Sequence, residues 1–447
     1  MTDTATSPQT MPSLAEATKV WFRIGCLSFG GPAGQIALMH REVVEDHNWI
    51  GDRRFLHALN FCSLLPGPEA QQLATYLGWL MHGAVGGLIA GLLFIIPGAI
   101  VMLGLSILYV TAGEVPAVSA VFFGLSCAVV AIVLNALYKV AKRALHGAIA
   151  WGLASISFVA LFFLSVPFPI VVISAALIGF LLPGRFQGGK HDAGGGETPA
   201  LLDHVIAQNP GFMAMRAKAA RRAGLLSLFA WGAPVLALVL VGGFYADVAL
   251  FFSKMAVVTF GGAYAVLTYV AQQAVESYGW LTPDQMLTGL GLAETTPGPL
   301  ILVLEFVGFL AGYAAQGTLW AGVLAACVTL WVTFAPCFAF VFLGAPAIER
   351  LQQNPRLAGA LSAITAAVVG VIANLACWFG LRILFTQVSA FQFGPFSVDM
   401  PVLTSLDLSA VLVTALALMA VFRYRLGVIA TLSICAVFGL GLKLILG

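Results

Sequence analysis

Four glycine–proline runs interrupt an otherwise very apolar chain: Phe29-Gly30-Gly31-Pro32, Pro66-Gly67-Pro68, Phe260-Gly261-Gly262 and Pro297-Gly298-Pro299. Proline removes a backbone donor and clashes with the preceding turn, and glycine lets the chain bend, so each run breaks a helix. At membrane depth a break exposes backbone groups, and is tolerated only where it lines a polar cavity or is buried in protein. The helix that restarts behind each break, as at Gln71 and Gln72 after Pro68, offers free N–H groups and the positive end of a dipole. That is chemistry for holding an anion. Gln35, Gln71 and Thr296 stand beside the breaks and join them as candidate binding residues. A lone Pro-Gly-Pro reads equally well as a kink; recurrence in two places favours the binding reading.

Charged residues inside apolar segments are costly and therefore informative. Arg23 and Lys254 each lie six residues before a Phe-Gly-Gly run, which suits an anionic cargo, although snorkelling to headgroups would also explain them. Glu69 follows the first Pro-Gly-Pro and Glu294 precedes the second. Either could carry a proton if buried, or simply favour a helix start. Glu305, further along the second half, is a third proton-coupling candidate. Asn135 and Asn374, an amide that recurs between the halves, could bond across helices or to substrate, the cross-helix bond being the favoured role, and Arg143 and Arg382 read as surface anchors. The seven cysteines are scattered and the histidines lack metal spacing, so no metal, cofactor or catalytic residue is expected. No phosphate-binding glycine loop with a following Lys-Ser/Thr is present, so the chain does not read as an ATPase or any other enzyme.

The elements that must position these residues are membrane helices. Hydrophobic residues make up 60% of the chain and charged residues 9%, too few to cover a soluble surface. Runs such as Leu88–Val110 are long enough to span the hydrocarbon core. The polar opening residues contain no apolar stretch, so no cleavable signal peptide is expected. A net charge of +2 gives no reason to expect nucleic acid as a partner.

The chain is duplicated. Phe29-Gly30-Gly31, Glu45, Trp49 and Pro66-Gly67-Pro68 all recur 231 positions later, and Pro97, Asn135 and Arg143 recur at an offset of 239. The expected organisation is a polar tail (1–17), a first repeat (18–183), a cytoplasmic linker (184–224), and a second repeat (225–447) with one extra segment. The predicted fold is an all-α polytopic membrane protein of about 13 hydrophobic segments. The extra segment near 225–245 would make the halves inverted repeats. With the N-terminus inside, the linker, Lys139–Arg143, Arg350–Arg356 and Arg423–Arg425 fall on the cytoplasmic side. The loop with Arg41, Arg53 and Arg54 breaks that rule unless the first segment is re-entrant or its acids balance it.

These motifs resemble the chromate ion transporter family in its long, two-domain form. The resemblance rests on Phe29-Gly30-Gly31-Pro32 with Gln35, on Trp49, and on Leu65-Pro66-Gly67-Pro68-Glu69-Ala70-Gln71-Gln72. In the second half it rests on Phe260-Gly261-Gly262 with Tyr264, on Trp280, and on Glu294-Thr295-Thr296-Pro297-Gly298-Pro299. It covers nearly the whole chain outside the tail and linker. The second half has Ala263 for Pro32 and Leu300 for Glu69, so the two halves need not contribute equally. Membership implies efflux of chromate across the inner membrane and chromate resistance, with sulfate as a competing analogue. The residues themselves point only to an anion. Uptake of sulfate or another oxyanion, and an uncoupled anion channel, stay open on that ground, as does a homodimer.

Overall fold

A computed structural model describes residues 11–29, 31–185, 200–209, 211–260, 263–347, 354–393 and 396–446. Of the sequence-derived candidates, Gly30, Gly261, Gly262 and Arg350, with most of the glycine-rich linker, lie outside the described residues.

The chain is almost entirely helical. In order, the helices are α1 (Leu14–Leu27), α2 (Gly31–His40), α3 (Asp52–Cys62), α4 (Glu69–Ala112), α5 (Pro116–Ala144), α6 (Ala148–Phe162), α7 (Phe168–Leu181), α8 (Leu201–Gln208) and α9 (Phe212–Val241). There follow α10 (Phe244–Val258), α11 (Ala263–Gln272), α12 (Pro283–Thr295), α13 (Val303–Gln316), α14 (Leu319–Gly344) and α15 (Pro355–Leu384). A two-stranded antiparallel hairpin, β1 (Val388–Phe393) and β2 (Phe396–Pro401), precedes α16 (Leu408–Leu418) and α17 (Val428–Leu446). Both α2 and α11 run on into a π-helical turn, at Arg41–Asp46 and Gln273–Ser277.

Among the described residues, five helices are long and apolar enough to cross a membrane, namely α4, α5, α9, α14 and α15, and five shorter apolar helices accompany them. Large apolar side chains such as Ile100, Ile173, Leu226 and Leu240 are exposed on their outer faces. That surface is tolerable only in lipid, and the protein is a multi-pass membrane protein. Helix α9 runs unbroken through the expected linker boundary at 224, and carries Arg216, Lys218, Arg221 and Arg222 on its opening turns.

Segments expected as single spans are bent back on themselves. The Pro12 carbonyl, just before α1, accepts from His82 Nε2 at 2.8 Å. The Asn48 and Trp49 carbonyls, beyond α2, accept from the Leu201 and Leu202 amides at 3.2 and 3.0 Å. Arg54, opening α3, donates to Asp203 at 2.7 Å, and the Met81 carbonyl accepts from Arg216 at 2.9 Å. The Pro12 end of the α1–α2 stretch therefore meets the bend of α4 at His82 and its Asn48–Trp49 end meets α8, while the stretch from α3 into α4 meets α8 through Arg54 and α9 through Met81. Each is a hairpin with its glycine–proline break at the tip. Arg54, on the loop that breaks the charge rule, is thus paired with Asp203 in the described part of the linker, a contact that a returning first segment requires.

The chain reverses again inside α4, where Gly83 adopts φ 68°. Small residues let the two arms touch: a Cβ on Gly78 would lie 2.5 Å from the Gly86 carbonyl. The last helices of each stretch are exchanged. Helices α6 and α7 pack on α15, whereas α16 and α17 pack on α5.

Candidate functional site

Each Pro-Gly-Pro tip is bonded to the residue just before a Phe-Gly-Gly run. The Gly67 amide donates to the Thr259 carbonyl at 2.8 Å, and the Gly298 amide donates to the Ser28 carbonyl at 2.8 Å. Gly67 and Gly298 sit at φ 121° and 91°, where a side chain is strained. Gln35 Nε2 reaches the Gly298 carbonyl at 2.6 Å, and Gln72 Nε2 the Pro66 carbonyl at 2.6 Å. Backbone groups freed by the breaks are thereby satisfied in an apolar setting.

A cavity of about 440 Å³ opens against these tips. The opening turns of three helices line it, through Gly31 and Pro32 on α2, Glu69 on α4, and Ala263 and Tyr264 on α11. Gly67 lines it as well. Helix α5 supplies the opposite wall, with Asn135, Lys139 and Arg143, and His146 and Arg185 stand at its edge. Lys139 and Arg143 are exposed, and no ion pair engages either among the described residues. Two carboxylates face these cations. Glu69 Oε2 accepts from Ser63 Oγ at 3.0 Å, and Glu294, only 4% exposed, accepts from Tyr264 Oη at 2.5 Å. Helix N-termini together with unpaired cations can hold an anion; the carboxylates can take up protons beside it.

The site is asymmetric. Pro66 is partly exposed beside the cavity, whereas Thr296, Pro297, Gly298 and Pro299 are buried. Thr296 bonds back to the Leu292 carbonyl at 2.7 Å. Pro68 is buried as the residue preceding α4, and Phe29 is half-buried. Gln71 is buried against Thr75 at 3.0 Å, with its own Oε1 lacking a partner. Glu305 is 1% exposed on α13 with Oε2 unpartnered, and does not line the cavity.

Arg23 and Lys254 do not line the cavity either. The Arg23 side chain is 58% exposed and lies 3.4 Å from the buried Glu42; Lys254 is exposed. Of the cations that do line it, Lys139 and Arg143 sit in the last turns of α5, where a sequence reading expects anchors at the membrane surface, and Arg185 follows α7. Their recurrence pattern carried the missed signal, since Asn135 and Arg143 reappear together as Asn374 and Arg382. Neither Asn135 nor Asn374 makes a cross-helix side-chain hydrogen bond among the described residues, and each amide lines a cavity, as the substrate-facing alternative requires. Tyr264 and Ser63 gain a role only through contacts that the fold creates.

The family model described as "Chromate transporter" matches residues 15–180 and 246–440. The chromate transport protein of Pseudomonas aeruginosa is 32% identical over 83% of this chain and 81% of its own length. That of Cupriavidus metallidurans is 28% identical over 83% of this chain and 84% of its own. A probable chromate transport protein of Synechococcus elongatus is 28% identical over 83% and 86%. No solved structure matches the chain. A family of transporters, not of enzymes, covers both stretches that carry the glycine–proline tips, and this chain belongs to the chromate transporter family.

Proposed function

We propose that this protein is a secondary transporter that exports chromate across the inner membrane and thereby gives chromate resistance. One observation carries the reading: unpaired Lys139 and Arg143 face three helix N-termini across one cavity. Chromate is a tetrahedral dianion, which two cations and several N–H donors suit. Sulfate has the same charge and shape, and competes for the same site.

The two stretches act as inverted repeats, 18–183 and 225–447, joined by the linker, and their thirteen apolar segments include the tip hairpins. Support comes from the exchanged packing of the terminal helices, and from α9 separating the start of α10 from that of α1. The linker face is cytoplasmic, in keeping with the cluster of Arg41, Arg53, Arg54, Arg216 and Arg221 there. The cavity that holds Lys139 and Arg143 opens toward that face. Glu69 and Glu294 exchange protons with it, while Glu305 is the buried reserve in α13.

Everted vesicles energised by respiration test the export reading. Chromate should accumulate in vesicles containing the protein, with sulfate competing and with collapse of the pH gradient reducing the rate. No accumulation above empty-vector vesicles sinks the reading. Flux that follows voltage alone would make the protein an uncoupled channel.

A further inference from the structure

A second cavity of about 330 Å³ lies between α6, α11, α15 and β2, lined among others by Gln272, Glu276, Asn374, Trp378, Arg382 and Asp399. Asn374 and Arg382 are the repeat partners of Asn135 and Arg143, which line the first cavity. The same amide and the same guanidinium, at the same spacing, thus stand in both.

What differs is the state of the arginine. Arg143 is exposed and without an ion pair among the described residues. Arg382 lies with its guanidinium carbon 4.6 Å from the centre of the Trp378 ring, and its Nη2 donates to Asp399 Oδ2 at 3.0 Å. Its Nε is buried and has no acceptor among the described residues. Asp399 belongs to the β-hairpin, opposite Ala390 in register. That hairpin fills Phe385–Asp407 between α15 and α16, where the first half needs only Leu145–Gly147.

We propose that this cavity is a second oxyanion station, for the same class of tetrahedral dianion, and that Asp399 is a built-in competitor occupying its guanidinium. The inference rests on the oxyanion reading of the first cavity. A carboxylate on the guanidinium is what an anion site looks like when filled by the protein's own anion. It engages one donor face only, and leaves the Nε–H for a cargo with more oxygens to take up. A dianion also attracts the guanidinium more strongly than a monoanion at equal distance. Cargo arriving from the first cavity displaces Asp399, and the returning carboxylate then expels the cargo. The β-hairpin is the element that brings this competitor to the site.

Chromate binding to the purified protein in nanodiscs, followed by calorimetry, tests the proposal. Wild type should show one tighter and one weaker class of site. Asp399→Asn should tighten the weaker class about tenfold, the worth of one charge-assisted hydrogen bond no longer contested. Arg382→Gln should remove that class alone, with Arg382→Lys retaining part of it. Arg143→Gln should instead weaken the tighter class about tenfold. An isotherm unchanged in Asp399→Asn overturns the proposal and leaves Arg382–Asp399 as a clasp for the hairpin; that arm decides alone if Arg382→Gln does not fold. Binding indifferent to Arg143→Gln sinks the first-cavity reading, while the Asp399 and Arg382 arms still decide the second.

Discussion

The Gly67 amide is bonded to the Thr259 carbonyl, and the Gly298 amide, 231 residues on from Gly67, is bonded to the carbonyl of Ser28, 231 residues before Thr259. Each Pro-Gly-Pro tip is therefore tied to the Phe-Gly-Gly break of the other stretch. The tie explains why glycine stands at both tips: the amide must face the partner strand while φ is positive.

Gly67→Ala and Gly298→Ala should each destabilise the protein by about 1–2 kcal/mol, the cost of a side chain in the left-handed region. A Cβ on Gly67 would also meet Cys337 Sγ and Gln72 Nε2 at 2.8 Å, whereas on Gly298 the nearest atom is the Phe94 carbonyl oxygen at 3.1 Å. Thermal unfolding in detergent should show the larger loss for Gly67→Ala. Chromate flux should fall further in that variant too, because Gly67 lines the cavity.

Lys139→Gln and Arg143→Gln should each weaken chromate binding about tenfold, one charge-assisted contact apiece, with little change in melting temperature. Arg23→Gln and Lys254→Gln, at the positions that the sequence favoured, should change binding by less than twofold, since neither lines the cavity. Calorimetry on the four proteins separates the two placements. The reverse ranking would return the cation role to Arg23 and Lys254.

Glu294→Gln keeps the shape of the site and abolishes proton exchange at that position. Chromate uptake by everted vesicles should then lose its dependence on the pH gradient while binding persists. Tyr264→Phe, which removes the 2.5 Å hydrogen bond, should produce a milder version of the same change. A Glu294→Gln protein that still responds fully to the gradient would pass the proton role to Glu69 or Glu305.

In the second cavity, burial and the neighbouring Asp399 push the Glu276 carboxyl above the usual carboxylate range, against the opposing pull of Arg382 and hydrogen bonds from Gln272 and Trp378. Glu276, Asp399 and Arg382 are the charged groups lining that cavity. As pH falls, Glu276 protonates before an ordinary glutamate does, and one negative charge leaves. Anion binding to the Arg382 station should therefore strengthen as the pH is lowered from neutrality. Glu276→Gln should hold the stronger binding at all pH values, as titration of the weaker calorimetric class at several pH values would reveal.

The hairpin topology places Asn48 and His204 on one face. In a background with the seven native cysteines replaced, Asn48→Cys and His204→Cys should react with an impermeant maleimide from the same side of oriented vesicles. Labelling from opposite sides would require α1 and α2 to form a single crossing.

The sequence alone determined the solvent, the duplication and the positions of the breaks. Composition decides whether a chain can face water, and a fixed offset between Gly67 and Gly298 needs no structure to be seen. Proline and glycine break helices for local reasons, so Pro66-Gly67-Pro68 was legible as an interruption. Only the tertiary structure brought Trp49, Arg54 and Met81, at ends of the first two broken segments, onto one stretch of chain from Leu201 to Arg216. Apolar content is the same in a span and in a hairpin; the difference lies in long-range contacts such as Leu201 with Asn48. The same holds for the cations. Arg23 and Arg143 each lie near the end of an apolar helix, and nothing local tells which one faces a cavity. Packing answers it, because α5 closes over the tips whereas Arg23 turns outward to Glu42.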